Sequence, residues 1–202
     1  GALPKVHTEP FGSELAAKVL ALFKEYHKVW QPPGKDPSTL SPLVITLTDE
    51  AKNLPPYHAT PRKVPAVQAK ALAEQIAEQV KLGFLEKIDE KEALKSFISA
   101  PHVVPKPHTN KWRMVINFIE LNKATKREHH PIPAIGDLLA FFKDKKYFGK
   151  VDLFSGFNQM LVDPASRQYL TIVSPNREYY RYTRLPFGIT NGPIVFQRAM
   201  QE

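Results

Sequence analysis

The sequence predicts an α+β fold. Three observations carry that expectation. Stretches with apolar residues at helical spacing interleave with short β-branched and aromatic runs. Turn-forming residues punctuate nearly every junction between them. A content of 43% hydrophobic and 24% charged residues over 202 positions is that of a chain that buries a core.

In order along the chain, Ser13 is positioned to cap a helix whose apolar residues Leu15, Val19, Leu22, Phe23, Tyr26 and Trp30 share one face, ending before Gln31-Pro32-Pro33-Gly34. Prolines then recur up to Pro65, interrupted by Leu43 to Leu47, which reads as a single strand within a strap laid over other structure. A second helix is expected from Ala66 to Leu82, with Val67, Leu72, Ile76 and Val80 inward and Gly83 just past its end. Ile98 to Val104 and Trp112 to Phe118 flank a polar, donor-rich turn at Lys106 to Lys111 and predict a hairpin. His130-Pro131-Ile132-Pro133 breaks the chain before a helix bearing Ile135, Leu138, Leu139 and Phe142. Strands are then expected near Tyr147 to Leu153, Tyr169 to Val173 and Tyr179 to Arg184, and a helix beginning near Pro193.

Composition narrows the function classes. A net charge of +8 and a pI near 9.5 suit a polyanionic partner, with basic clusters at Arg62-Lys63, Lys123 to Arg127 and Lys143 to Lys150. There is no cysteine, which excludes disulfides, thiolate metal sites and cysteine nucleophiles. No apolar run approaches the ~18 residues of a membrane span. The histidines lack metal-ligand spacing, His129 and His130 being adjacent, so no zinc site is expected. Gly1 in the place of an initiator methionine reads either as an artificial scar or as a mature end left after removal of a targeting segment. The second origin would admit a mitochondrial or other organellar assembly; otherwise the compartment would be cytoplasmic or nuclear.

Two segments carry a resemblance. Tyr147 to Met160, YFGKVDLFSGFNQM, and Leu185 to Met200, LPFGITNGPIVFQRAM, resemble the first two polymerase blocks of reverse transcriptases, most closely those of gypsy-class LTR retrotransposons. Upstream, Lys111 to Phe118 with Glu120-Leu121-Asn122-Lys123 resembles the family's fingers hairpin. The resemblance implies a truncated right-hand polymerase. It comprises an N-terminal helix and proline-rich arm over 1–54, a fingers-like region over 55–146 and a partial palm over 147–202.

In such enzymes, carboxylates hold two magnesium ions ~3.5–4 Å apart for phosphoryl transfer. By resemblance Asp152 is the catalytic carboxylate and, with the Leu153 carbonyl, a magnesium ligand. Alone, an aspartate at a strand end is most often a cap. Ser155-Gly156-Phe157 follows it at the family spacing, and Phe157 would be the aromatic gate at the sugar 2′ position. By the same resemblance Phe187 and Gly188 would belong to the loop beneath the templating pair. Arg113 and Lys106 would reach the triphosphate, as a planar fork and a point charge. Two positions depart from the pattern: Asn117 where the family usually has Asp, and Ile119 where it usually has Arg.

The family's third block, a hairpin with two adjacent aspartates, is not present. Asp163, Glu178 and Glu202 do not supply it, so a strand edge is expected to need covering by a local element, another protein chain or RNA. The expected function is therefore a structural, RNA-contacting module of a larger ribonucleoprotein or protein complex, inactive alone. The alternative is a fragment of an active RNA-directed DNA polymerase whose remaining palm, thumb and RNase H lie on another chain. Magnesium would be required only if activity is retained. A third reading is an inactive partner subunit bound to a full-length polymerase.

Overall fold

A computed structural model describes residues 12–30, 36–61, 63–109, 111–129, 135–148, 152–153 and 155–201. Two compact units are formed, 1–34 and 35–202. In the first, α1 (Ser13–Glu25) is followed by a 3-10 turn, His27–Trp30. Gly12, not Ser13, occupies the N-cap, and no side chain closes it. Ser13 lies one residue too late to reach the free amides of the first turn.

The second unit holds, in chain order, α2 (Asp49–Lys52), α3 (Ala66–Lys81), β1 (Leu85–Ile88), α4 (Glu90–Ala93), β2 (Ile98–Pro105), β3 (Trp112–Asn117), α5 (Ile119–Ala124), α6 (Ile135–Phe142), α7 (Gly156–Gln159), β4 (Thr171–Val173), β5 (Tyr179–Tyr182) and α8 (Gly192–Ala199). The strands make one mixed sheet in the order β1-β5-β4-β2-β3. All the strand pairings are antiparallel except β2 with β4, where Ile98 and Ser99 run parallel to Thr171 and Ile172. Strands from before and after residue 147 thus share a single sheet.

The hairpin forms where the two apolar runs predict it, with Val104 opposite Arg113 and Pro105 opposite Trp112. Pro101 and Pro105 stand opposite Ile116 and Trp112 in pairs that alternate with the hydrogen-bonded pair Lys106–Lys111, so their missing N–H groups face away from β3, on the side where the pairing with β4 has already ended at Ser99. β3 is an edge strand, and its outer side is occupied by one side chain of α3. Gln75 Nε2 donates to the Trp112 carbonyl, and Gln75 Oε1 accepts from the Met114 N–H at 2.7 Å. A glutamine amide here substitutes for the peptide of a neighbouring strand.

α3 ends as expected at Leu82, with Gly83 beyond it at φ +75°. Of the four residues expected inward, Leu72 and Ile76 are buried, while Val67 and Val80 are exposed. Only the middle two turns lie on the sheet, so the ends of the stripe run out past the core.

The Leu43 to Leu47 segment is a strap, as its prolines and alternation suggest, but not a strand. It makes isolated pairs, Leu43 with Val162 and Leu47 with Thr125. The Ile45 N–H donates to Ser166 Oγ at 2.9 Å, and the Lys126 N–H to the Thr46 carbonyl at 2.8 Å. Leu43, Ile45 and Leu47 are buried and Val44 is exposed, the period of two expected of an extended chain on a core. Its partner changes from residues 161–166 to residues 124–126 along its length, so no continuous ladder develops.

The core gathers Leu43, Leu72, Phe118, Leu121, Met160, Leu170, Ile172 and Leu185. Each such aliphatic or aromatic side chain contributes about 1.5–3 kcal/mol by leaving water. The strand expected over Tyr147 to Leu153 falls partly on residues 149–151, outside the described residues. Tyr147, Phe148, Asp152 and Leu153 join no strand and their side chains are exposed, so Asp152 is not held at a strand end by those residues. The proline break at 130–133 likewise lies outside the described residues. Of the later acids, Asp163 caps the 3-10 helix Pro164–Leu170 by accepting from the Ala165 N–H, and Glu178 pairs with Lys87 and accepts from the Tyr180 hydroxyl. Both carboxylates have structural partners.

Candidate functional site

Between α3, β3, β5 and the loop after β5 lies an open cavity of about 470 Å³. Arg113, Phe187 and Gly188 line it, together with Gln75, Asn158 and Tyr182. Three of the residues singled out from sequence are therefore brought to one cavity.

Phe157 joins them through stacking. Its ring centroid is 5.0 Å from that of Phe187 at an interplanar angle of 24°, and 5.1 Å from that of Phe196. Such offset arrangements contribute about 0.5–1.5 kcal/mol beyond area burial. Phe157 lies on α7, which Ser155 starts from a left-handed conformation, φ +48°. Gly156 leaves little room for a side chain, because a Cβ there would sit 3.0 Å from Phe196 Cζ and 3.4 Å from Leu153 Cβ, so that the Phe196 ring would have to give way. α7 thus rests directly against α8.

The Leu185 to Asn191 loop is fastened by three asparagine side chains. Asn158 Nδ2 donates to the Leu185 carbonyl at 3.1 Å. Asn122 Nδ2 donates to the Gly188 carbonyl at 2.8 Å while its Oδ1 accepts from the Thr190 N–H at 2.9 Å. Asn191, itself buried, donates to the Lys126 carbonyl and accepts from the Glu128 N–H. α8 then begins at Gly192-Pro193, where proline's missing N–H costs nothing in a first turn.

Lys106 and Asp152 do not line the cavity. Lys106 sits in the hairpin turn, where its N–H donates to the Lys111 carbonyl. Continued from Val104 opposite Arg113, that register puts Lys106, Lys111 and Arg113 on the same face of the hairpin. All three are exposed, and none has an ion-pair partner among the described residues. Lys111 was named from sequence only as a boundary of the donor-rich turn and of the hairpin motif, and Gln75 was not singled out. The two-residue spacing of Lys111 from Arg113 could have identified the first; nothing local marks the second.

Replacing Lys106 and Lys111 together by alanine is expected to reduce the salt dependence of nucleic-acid binding by about 1.5–2 in the log–log slope. Fluorescence anisotropy over a salt series measures it, and an unchanged slope would mean these lysines do not meet phosphates.

Asn117, which replaces the usual acid, accepts from the Ile119 N–H at 3.1 Å and opens α5. A neutral oxygen suffices for that turn. Ile119 is exposed. No cluster of three or more histidine, aspartate or glutamate side chains suited to a metal occurs among the described residues. Asp152 and the Leu153 carbonyl would supply at most two oxygens of an octahedral magnesium shell. Magnesium commonly takes one or two carboxylates and completes its shell with water and phosphate oxygens, so the exposed Asp152 is compatible with it but does not build the site alone.

Tyr182, on the cavity's inner wall, is buried, and that burial drives its phenol well above the ordinary value of about 10. The folded state binds this proton more tightly than the unfolded one. Stability from this group is therefore complete below pH ~10 and is lost as pH rises above it. Tyr182→Phe is expected to weaken alkaline unfolding above that pH, as followed by circular dichroism. Identical alkaline profiles would show that Tyr182 is not the responsible group.

Residues 104–202 match the family model for reverse transcriptase (RNA-dependent DNA polymerase). The Retrovirus-related Pol polyprotein from transposon 412 of Drosophila melanogaster is 42% identical over 96 residues, covering 48% of this chain and 8% of that protein. That from transposon 297 of the same species is 34% identical over 130 residues, or 62% and 12%. The Enzymatic polyprotein of Cauliflower mosaic virus (strain Strasbourg) is 34% identical over 111 residues, or 51% and 16%. The chain thus spans less than a fifth of these relatives. Among the described residues no helix is long and apolar enough to cross a membrane. The stretch holding Arg113, Phe157, Phe187 and Gly188 thus matches the reverse transcriptase domain and is similar to that part of retrotransposon Pol polyproteins.

Proposed function

We propose that the chain forms the nucleotide- and template-facing part of an RNA-directed DNA polymerase from a gypsy-class LTR retrotransposon, fingers and the start of the palm. The observation that carries this reading is the meeting of Arg113, Phe187 and Gly188 at one cavity with Phe157 stacked on Phe187. Arg113 and Lys106 hold the triphosphate by a fork and a point charge. Phe157, backed by Phe196, abuts the sugar. Asp152 and the Leu153 carbonyl would be two of the oxygens that hold magnesium, which when bound would supply charge neutralisation for phosphoryl transfer. Leu139, Phe141, Phe142 and Phe148 are exposed apolar side chains close in sequence. Such a patch suits cover by further protein of the same polymerase or by a partner chain.

Primer extension on an RNA template with magnesium, alongside RNA-binding anisotropy, tests the reading with the parent and Asp152→Asn. Extension that Asp152→Asn abolishes, with RNA affinity retained, supports it. Salt-sensitive RNA binding without extension, indifferent to Asp152→Asn, would instead favour a structural RNA-contacting subunit of a larger complex. Absence of salt-sensitive binding would exclude both.

A further inference from the structure

The conformation of the Phe187-Gly188 loop is set from outside the loop. Phe187 is 63% exposed, so burial does not hold its ring against Phe157. Gly188 adopts φ +95°, which leaves the peptides on either side of it without a regular ladder. The backbone groups that follow Phe187 instead find both partners on one side chain, 66 and 68 residues away in sequence, Asn122 of α5. Its amide closes a two-point clasp, one bond to the Gly188 carbonyl and one from the Thr190 N–H. The other two asparagines grip the loop only at its ends, Asn158 at Leu185 and Asn191 through residues 126–128. α5 in turn is anchored, since Leu121 is buried and the Thr48 N–H of the strap donates to the Ala124 carbonyl at 2.9 Å.

We propose that Asn122 is a positioning residue, whose two hydrogen bonds to the Gly188 carbonyl and Thr190 N–H hold the loop so that Phe187 stacks on Phe157 and walls the cavity. Its consequence for nucleotide binding rests on the polymerase reading; the clasp itself does not. Aspartate at this position keeps the acceptor for Thr190 and loses the donor to Gly188. Alanine loses both.

Amide hydrogen exchange and NMR on the whole chain separate the two claims. In Asn122→Ala the Thr190 amide is expected to exchange at least about tenfold faster, as when a hydrogen bond of ~1.4 kcal/mol is lost. The ring-current shifts of Phe157 and Phe187 should collapse while core amides such as that of Ile172 keep their protection. Asn122→Asp should restore Thr190 protection, a rescue that a merely space-filling residue would not show. Unchanged Thr190 exchange and unchanged aromatic shifts in Asn122→Ala would overturn the proposal. Binding of a deoxynucleoside triphosphate, read on the same samples, bears on the polymerase reading instead. If the parent binds none, that reading fails while the exchange result still decides the clasp.

Discussion

Phe118→Ala should destabilise the second unit by about 3–5 kcal/mol, the usual cost of emptying a large aromatic site in a core. Phe118 is the largest fully buried side chain among the described residues, 2% exposed. It meets Tyr182 edge-on at 6.4 Å between centroids, and its Cδ2 would lie 3.6 Å from a Cβ placed on Gly188. The residue therefore supports the cavity floor from two sides. A chain of this size is expected to lose roughly 10 °C in thermal midpoint, and the urea midpoint should fall in proportion. Because the Gly188 loop loses its support as well, the stacking of Phe187 on Phe157 should loosen in whatever molecules remain folded. A loss below ~1 kcal/mol would mean that the site repacks around the missing ring and that Phe118 does not organise the loop.

Gly188→Val should be the next most damaging change, for a different reason. A Cβ at Gly188 would meet Phe118 Cδ2 at 3.6 Å and the Ile116 carbonyl oxygen at 3.8 Å, both ordinary contacts. Space is not the obstacle. The obstacle is φ +95°, which a β-branched residue adopts only at a cost of order 1–3 kcal/mol. Part of that strain is relieved by moving the loop, so ligand binding at the cavity should suffer more than global stability. Gly136→Ala makes the contrast, since Gly136 lies within α6 with nothing within 4 Å of its added Cβ. It should stabilise by about 0.5–1 kcal/mol. Equal effects of the two substitutions on chemical denaturation would refute the backbone argument.

Much of the local structure was legible in the residue order. The β2–β3 hairpin follows from two apolar runs around a polar turn, α3 from its apolar stripe and Gly83, and α8 from Pro193. The residues of the second block gather as a loop into a helix, and Phe187, Gly188 and Arg113 line one cavity. Other expectations failed for identifiable reasons. Val67 and Val80 fit the helical stripe but overhang the core. Leu43 to Leu47 alternates as a strand does, yet finds a different partner at each end. Ser13 has the right chemistry for a cap and stands one position late.

Residue order alone determined the resemblance to reverse transcriptases, the basic charge and most helices and turns, because spacing, φ restrictions and side-chain type act between near neighbours. Only the tertiary structure decided that Ile98 runs parallel to Thr171, that Gln75 stands in for a strand beside β3, and that Asn122 clasps a loop 66 residues away. Each of these depends on which edge or backbone group is left without a partner once the core has packed. That remainder belongs to the assembled sheet and helices, and no short window of sequence carries it.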